Sequence, residues 1–326
     1  MKPIIAIATS LPLLWIVPAA AQTYTTIDVP GALGTAVSGI NADGAVTGTY
    51  TDSSGNIHGF VRASDGTIST FDPNDTKAYN LTVLAINRKS EVTGWYRSDG
   101  DKAYGFVRSA SGKIKRINPN KSTFTVTVSI NNAGTVTGTY EDSNHYSHAF
   151  IRTSDGTVTD FDIAGAGATP TCINDNGDVT GISTNSKTFL PLGFLRTADG
   201  TITTFDAPNE KETVATAIND KDIIAGAVAG KHHTHGGFVR ARDGTFSTFY
   251  ILGPIYANSI NSADEVAGGY DDTGVMHSFL YSGGTVTPFD PPNATSSEAY
   301  SINKDGLIAG YYTDSNGVYH GFIRTP

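Results

Sequence analysis

Residues 302–322 read INKDGLIAGYYTDSNGVYHGF, and the spacing within this stretch recurs along the chain. The pair Ile302-Asn303 is followed by Gly310, eight residues after the isoleucine, and by Phe322, about twenty after it. The same pattern begins at Ile40, Ile86, Ile130, Ile173, Ile218, Ile260 and Ile302. Periodicity of this kind is typical of a fold built from one repeated supersecondary unit.

Each unit contains four runs of β-branched and aromatic residues separated by turn sequences. In the last unit we predict strands over Ala299–Ile302, Leu307–Thr313 and Tyr319–Arg324, and an earlier unit shows the fourth strand at Thr67–Phe71. Four short antiparallel strands every forty-odd residues are the pattern of a propeller blade. The sequence therefore predicts an all-β, seven-bladed β-propeller with four antiparallel strands per blade.

The two ends of the repeat region complement each other. The last unit stops at Pro326 without the fourth strand that other units have, such as residues 202–208 with the sequence ITTFDAP. A matching stretch, TYTTIDVP, lies at residues 23–30. We expect this N-terminal strand to complete the last blade and close the ring, because closure also removes an exposed strand edge.

The units resemble the HAF-repeat family of secreted bacterial proteins, which is named for a His-Ala-Phe tripeptide. The tripeptide occurs here as His148-Ala149-Phe150 and, with variation, at His58, His277 and His320. Units 2, 4 and 5 carry Tyr104, Leu192 and Gly236 in place of the histidine. The resemblance implies an extracellular or periplasmic propeller-like protein and supplies no catalytic motif.

The first residues have the features of an export signal. Lys2 is followed by an apolar stretch from Ile4 to Val17 and by small residues up to Ala21. We predict a signal peptide over residues 1–21, cleaved near Ala21, and a single propeller domain over residues 22–326. The protein is then secreted or periplasmic.

Composition excludes several classes of partner. The chain has 22 basic and 31 acidic residues, a formal net charge of −9, and no cluster of lysine or arginine, so nucleic acid and anionic membrane surfaces are poor partners. No later segment is apolar enough to span a membrane. Cys172 is the only cysteine, so no internal disulfide forms. We predict a monomer.

The connections between strands divide into two sets on opposite faces of the ring. Turns between strands one and two, and between three and four, are short and have close equivalents in most units; we call their side the uniform face. The remaining connections, such as residues 97–103 and 182–191, vary in length and content and form the variable face. Variable loops on a repeat scaffold usually carry function, so we predict the ligand on the variable face.

One candidate site is the histidine-rich loop of unit 5. His232, His233 and His235 lie within four residues, a pattern that suits a transition metal, a proton-transfer site or a ligand contact. The loop contains no cysteine or carboxylate, which favours a solvated turn over a metal site. The histidines of the tripeptide recur in several units, and repetition favours a structural hydrogen-bonding role for them.

Further candidates are acidic or aromatic. Glu141, His145, Glu210 and Glu298 join His233 and His235 as possible catalytic residues, since paired carboxylates carry out glycosidic hydrolysis. Tyr250, Tyr256 and Tyr300 are predicted ligand-binding residues, because a ring beside an inner strand can stack on a sugar. No metal site and no cofactor are predicted; calcium or a transition metal is a minority alternative.

Three functions fit these observations. The leading hypothesis is a secreted binding module for carbohydrate or another extracellular polymer. The alternative is a polysaccharide-degrading enzyme, either a lyase that uses tyrosine and histidine or a glycoside hydrolase that uses two carboxylates. A structural role in the envelope or matrix is the third. Clustering of the unit-specific His and Glu residues would favour the enzyme.

Overall fold

A computed structural model describes residues 22–163, 166–230 and 235–326. These residues form seven sheets of four antiparallel strands, and the sheets are arranged around a central channel as a seven-bladed β-propeller. The predicted fold class is confirmed. Two 3-10 turns, Asp99–Asp101 and Pro119–Lys121, are the helical elements of the described chain. Within these residues, no helix is long and apolar enough to cross a membrane.

The strands follow chain order from the channel outward in each of the first six blades. Blade 1 comprises β2 (Gly34–Ile40), β3 (Val46–Thr51), β4 (Ile57–Arg62) and β5 (Ile68–Phe71); blade 2 comprises β6 (Tyr79–Ile86), β7 (Val92–Ser98), β8 (Lys102–Arg108) and β9 (Ile114–Ile117). Blade 3 comprises β10 (Thr125–Ile130), β11 (Val136–Glu141), β12 (Ser147–Arg152) and β13 (Val158–Phe161).

Blade 4 comprises β14 (Ala168–Ile173), β15 (Val179–Thr184), β16 (Pro191–Arg196) and β17 (Ile202–Phe205). Blade 5 comprises β18 (Glu212–Ile218), β19 (Ile224–Ala229), β20 (His235–Arg240) and β21 (Phe246–Tyr250). Blade 6 comprises β22 (Ile255–Ile260), β23 (Val266–Asp272), β24 (Val275–Ser282) and β25 (Thr285–Phe289).

Blade 7 contains strands from both ends of the described chain. Its inner strands are β26 (Ser296–Ile302), β27 (Ile308–Thr313) and β28 (Tyr319–Thr325), and its outer strand is β1 (Thr23–Ile27). Strand β1 runs antiparallel to β28, with Thr23 opposite Thr325 and Ile27 opposite Gly321. The N-terminal strand therefore closes the last blade, as the sequence predicts.

The asparagine of each Ile-Asn pair links one blade to the next. Its side-chain oxygen accepts hydrogen bonds from backbone N–H groups of its own turn, as Asn41 does from Asp43 and Ala45. Its side-chain nitrogen donates to the backbone oxygen of the equivalent asparagine in the following blade, at distances of 2.9–3.2 Å. The last of the seven links runs from Asn303 to Asn41 and completes the circle. All seven side chains are buried, so these polar groups need such partners.

The glycine of the repeat is required by a close approach of two strands. Every inner strand carries a bulge at the same position, as at Tyr300 between Ala299 and Ser301. Beside the bulge, an inner-strand carbonyl oxygen lies over the glycine of the second strand, and a Cβ there would fall far inside van der Waals contact. The glycines are Gly48, Gly94, Gly138, Gly181, Gly226, Gly268 and Gly310. No residue with a side chain fits without moving backbone.

Phenylalanines fill the space between blades. The phenylalanine of the tripeptide is fully buried in every blade, and in five of the seven junctions it meets an outer-strand phenylalanine of the preceding blade. Phe71 and Phe106 are one such pair, with ring centroids 6.1 Å apart in an edge-to-face arrangement. The core is thus a series of separate hydrophobic clusters, one between each pair of neighbouring blades.

We expect Gly138→Ala to lower the free energy of unfolding by roughly 2–3 kcal/mol, since the added methyl group forces a backbone shift against Val126. Gly167→Ala is the matched control, because Gly167 has open space around it and no left-handed backbone. Urea unfolding of both variants measures the difference. Equal stability of the two variants would contradict the assigned role of the repeat glycine.

Candidate functional site

Large apolar side chains that are exposed to solvent concentrate on one face of the ring. They are Leu33, Ile57, Tyr79, Tyr146, Phe189, Tyr250, Leu252, Tyr256, Val275 and Tyr319, all in variable-face connections or at the adjoining strand ends. In the described residues, Val158 is the single exposed side chain of this kind at the uniform face. Clustered exposed apolar groups mark interaction surfaces more often than scattered ones do.

The histidines of the tripeptide join the strands of their own blades at the variable face. His58 Nδ1 lies 2.7 Å from Asp72 of the outer strand end, and its Nε2 lies 3.2 Å from Asp52 of the loop between strands two and three. Its ring also stacks on Tyr50, with centroids 5.0 Å apart. His148, His277 and His320 each make the equivalent contact with an outer aspartate at 2.8 Å. We call each such arrangement a histidine latch.

The latch in blade 7 takes its aspartate, Asp28, from the N-terminal segment, so it also helps to hold β1 in place.

The carboxylates of the latches raise the pKa of two histidines, His58 and His148. The hydrogen bond to Asp162 raises the pKa of His148, against the opposing effect of partial burial. Burial disfavours charged His58, but the hydrogen bonds to Asp72 and Asp52 outweigh it and raise its pKa.

The latches should make stability depend on pH. The folded-state pKa of His148 is raised, so the stabilisation that this histidine gives the folded state is complete below the unfolded-state pKa. This stabilisation is lost as pH rises through the folded-state pKa. We expect His148→Gln to cost about 0.5 kcal/mol at about pH 5.5 and less at about pH 8. The measurement is urea unfolding at both pH values.

His145→Gln serves as the control for this experiment, since the His145 imidazole is 86% exposed and lies 3.5 Å from a single carboxylate, that of Glu141. His145 has a left-handed backbone with φ of 64°, so any cost of the substitution is conformational and should be equal at both pH values. A His148→Gln penalty that stays constant between the two pH values would show that protonation of the latch does not contribute.

Part of the blade 5 candidate site lies outside the described residues. His232 and His233 are in this part, whereas His235 begins β20 and is paired with Ala229, which is in turn paired with Glu212. Next to them, the Tyr250 hydroxyl donates to Glu210 over 2.7 Å, and this hydrogen bond raises the pKa of the tyrosine. The structure thus places Glu210, Glu212, His235 and Tyr250 at one edge of blade 5.

A second group of predicted residues lies in the channel wall of blades 6 and 7. Glu298 accepts a hydrogen bond of 3.1 Å from Asn258 and lies 3.4 Å from the Tyr311 hydroxyl. Burial, followed by the Glu298 charge, raises the pKa of Tyr300, whose ring centroid lies 5.7 Å from that of Tyr311. Gly269 leaves the space that the Glu298 side chain occupies. The remaining blades place small or apolar residues at the Glu298 position, except for Tyr256 in blade 6.

The predicted catalytic residues are therefore distributed over three parts of the ring. Glu141 and His145 are in blade 3, Glu210 and His235 are at blade 5, and Glu298 is in the channel wall of blade 7. Among the described residues, none of the glutamates in this set is hydrogen-bonded to another, and no group of three or more His, Cys, Asp and Glu side chains is placed to hold a metal ion.

At the centre of the uniform face, some residues differ from blade to blade. A cavity of about 240 Å³ opens at its centre, lined by the Ile-Asn pairs and by the residue after each pair. Those last residues differ in charge and size: Ala42, Arg88, Asn132, Asp175, Asp220, Ser262 and Lys304. This face therefore offers an asymmetric surface, because a position of the turn that differs between blades lines the channel mouth.

A carboxyl pair at this face is absent from the sequence-based candidates. Asp178, which is buried, lies beside Asp222 of the next blade, and burial, followed by the neighbouring Asp222 carboxyl group, raises the pKa of Asp178. Asp178 also accepts a hydrogen bond of 2.7 Å from the backbone of Ala198. Two neighbouring carboxylates repel each other, so simultaneous ionisation of both is disfavoured.

We expect Asp178→Asn to increase the free energy of unfolding at about pH 7 by about 1 kcal/mol, because an amide removes the repulsion between two neighbouring carboxylates. The gain should shrink at about pH 4, because protonation of Asp178, whose pKa is raised, weakens this repulsion in the wild type as well. Thermal unfolding at the two pH values measures this. Destabilisation by Asp178→Asn at about pH 7 would show that repulsion between the two carboxylates does not limit stability.

The fold is similar to that of several solved β-propellers. Virginiamycin B lyase from Staphylococcus aureus has a TM-score of 0.58 at 14% identity, with coverage of 94% of this chain and 100% of that one. The β-propeller domain of the Trilobed protease from Pyrococcus furiosus has a TM-score of 0.62 at 9% identity, covering 89% and 95%. A lectin from Burkholderia pseudomallei has a TM-score of 0.55 at 10% identity, covering 90% and 95%.

The sequence matches no protein-family profile and no curated protein. At these levels of identity the structural likeness shows the propeller fold alone, since propellers host many unrelated activities. The Pyrococcus domain is described as having an open velcro topology. In the present chain, by contrast, β1 pairs with β28 and closes the ring.

Proposed function

We propose that this protein is an exported binding module for a neutral carbohydrate or a similar uncharged extracellular polymer, which it holds on the variable face. The observation that carries the proposal is the concentration of exposed tyrosine, phenylalanine and leucine side chains on that face. Aromatic rings supply large contact areas at little conformational cost, and sugar rings stack on them through their C–H faces.

The charge of the variable face supports a neutral ligand. Its connections contain more carboxylates than ammonium groups, including Asp72, Asp75 and Glu210 against Lys77 and Lys187. A polyuronate would be repelled by this surface, whereas neutral hydroxyl groups can donate to the carboxylates. The same argument weighs against a lyase that acts on uronates.

A glycoside hydrolase remains the second candidate because of Glu298, which lies beside Tyr300 and Tyr311 in the channel wall. Hydrolysis needs a second carboxyl group a short distance away.

The proposed export of the protein rests on the sequence of residues 1–21, and the HAF-repeat resemblance is consistent with it. Export and the HAF-repeat relationship both stay predictions.

The test of the proposed function blocks one face at a time. Ser53 lies in a variable-face loop of blade 1 and Ser64 in a uniform-face turn of the same blade, and both are exposed. Ser53→Cys and Ser64→Cys are labelled with a bulky polyethylene glycol maleimide, with identically treated wild type as the control for Cys172. Binding to mannan, β-glucan, chitin and pectin is then measured together with new reducing or unsaturated ends.

We expect wild type and labelled Ser64→Cys to bind a neutral polymer without releasing new ends, and labelled Ser53→Cys to lose about tenfold or more in affinity, because the polymer chain covers the variable face. Release of new reducing ends would establish the hydrolase instead. Failure to bind any neutral polymer, or equal loss in both labelled variants, would refute the proposal.

A further inference from the structure

The start of blade 2 differs from the start of the other six blades. Its repeat unit is the longest, with 46 residues from Ile40 to Ile86. The pairing of β6 with β7 contains a second irregularity, between Tyr79 and Thr82, in addition to the bulge that every blade has. Asn80 adopts a left-handed backbone there, with φ of 50°. Asparagine is among the residues that tolerate this conformation best.

A cavity lies beside this irregularity on the variable face, between blades 1 and 2. It encloses about 360 Å³, which is within the range of small-molecule sites. Ile57 and Tyr79 supply its apolar surface and are 41% and 42% exposed. Asp72, Asp75 and Asn80 supply polar groups. We call this cavity the blade 1–2 pocket.

The side chains of the pocket are held in place before any ligand arrives. The Tyr79 hydroxyl donates to Asp101 over 3.1 Å, which fixes the ring. Asp75 accepts a hydrogen bond of 2.8 Å from the Ser98 hydroxyl and one of 3.0 Å from the backbone of Lys77. Asp72 is held by the histidine latch of blade 1. Pre-organised groups lose little entropy on binding.

The chemistry of the lining identifies the ligand class. The phenol ring of Tyr79 and two branched aliphatic side chains, Ile57 and Leu81, stand beside carboxylates, and no lysine or arginine lines the cavity. Sugar hydroxyls are donors that match the carboxylates, and the C–H face of a pyranose matches Tyr79. An acidic sugar would meet Asp72 and Asp75, whose charges repel it.

We propose that the blade 1–2 pocket binds one neutral pyranose unit. Tyr79 stacks on the sugar ring, and Asp72 or Asp75 accepts hydrogen bonds from the sugar hydroxyl groups. The proposal rests on the proposed function and assigns the principal sugar contact to residues that differ from those predicted from the sequence. The remaining exposed side chains of the variable face then make weaker contacts with the rest of the polymer.

The test compares three variants by calorimetric titration with oligosaccharides of mannose, glucose, N-acetylglucosamine and galacturonate. Tyr79→Ala removes the ring, and Tyr79→Phe keeps it while removing the hydrogen bond to Asp101. Tyr319→Ala removes a tyrosine that is 51% exposed on the same face, in blade 7. Thermal unfolding confirms that each variant is folded.

We expect Tyr79→Ala to weaken binding of a neutral oligosaccharide about tenfold or more, as loss of a stacking ring does. Tyr79→Phe should stay within about threefold of wild type, and so should Tyr319→Ala, because a variable-face side chain outside the pocket makes only a weaker contact. If wild type binds a neutral oligosaccharide and Tyr79→Ala binds it equally well, the pocket is not the site although the proposed function stands. Equal losses of affinity in Tyr79→Ala and Tyr319→Ala would also contradict the assignment of the sugar site to this pocket. Binding of galacturonate oligomers alone, or of no oligosaccharide, overturns both proposals.

Discussion

The ring depends on one repeated interaction, the hydrogen bond from each asparagine side chain to the backbone of the next asparagine around the channel. Each of these side chains shapes its own turn through the amide oxygen and fixes the neighbouring blade through the amide nitrogen. Glutamine would carry the same groups on a longer stem, and aspartate would lack the donor. The Ile-Asn pair therefore persists in every blade, while sequence around it changes.

The other repeated residues reflect close packing around the channel. Each inner strand bulges, and beside the bulge a carbonyl lies over the second strand, where glycine is the one residue that fits. Farther from the channel the blades diverge, and phenylalanine pairs such as Phe71 and Phe106 fill the wider space. Outside the inner strand, the repeated glycine thus lies where the chains approach closely and the repeated phenylalanine lies where the blades diverge.

Much of this architecture was predictable because each blade repeats the same solution. Seven Ile-Asn pairs and the displaced strand near Ile27 were enough to predict the blades and their closure. The predicted inner strand, Ala299–Ile302, starts too late, because pairing continues beyond the bulge to Ser296. The site was less predictable: the pocket at Tyr79 and the contact of Asp178 with Asp222 each join two blades, and distances between blades are not contained in a repeat pattern.

Departures from the repeat are therefore where specificity can arise on this scaffold. The variable face was predicted correctly as the side where loops differ, and the exposed apolar side chains lie there. The residues singled out within it, such as Glu210 and Tyr250 at blade 5 and Glu298 and Tyr300 at blade 7, form two separate groups. A fold with many equivalent positions needs only a few such changes to acquire a distinct surface.

The closure of blade 7 has a mechanical consequence. Thr23 and Thr325 lie opposite each other at the same end of an antiparallel pair. Tension applied between these two residues would load the hydrogen bonds of β1 and β28 one after another, like a zipper, instead of all at once in shear. A ring held together by seven interlocked junctions would then yield to a small pulling force at its seam, with β1 peeling away while the asparagine circle stays intact.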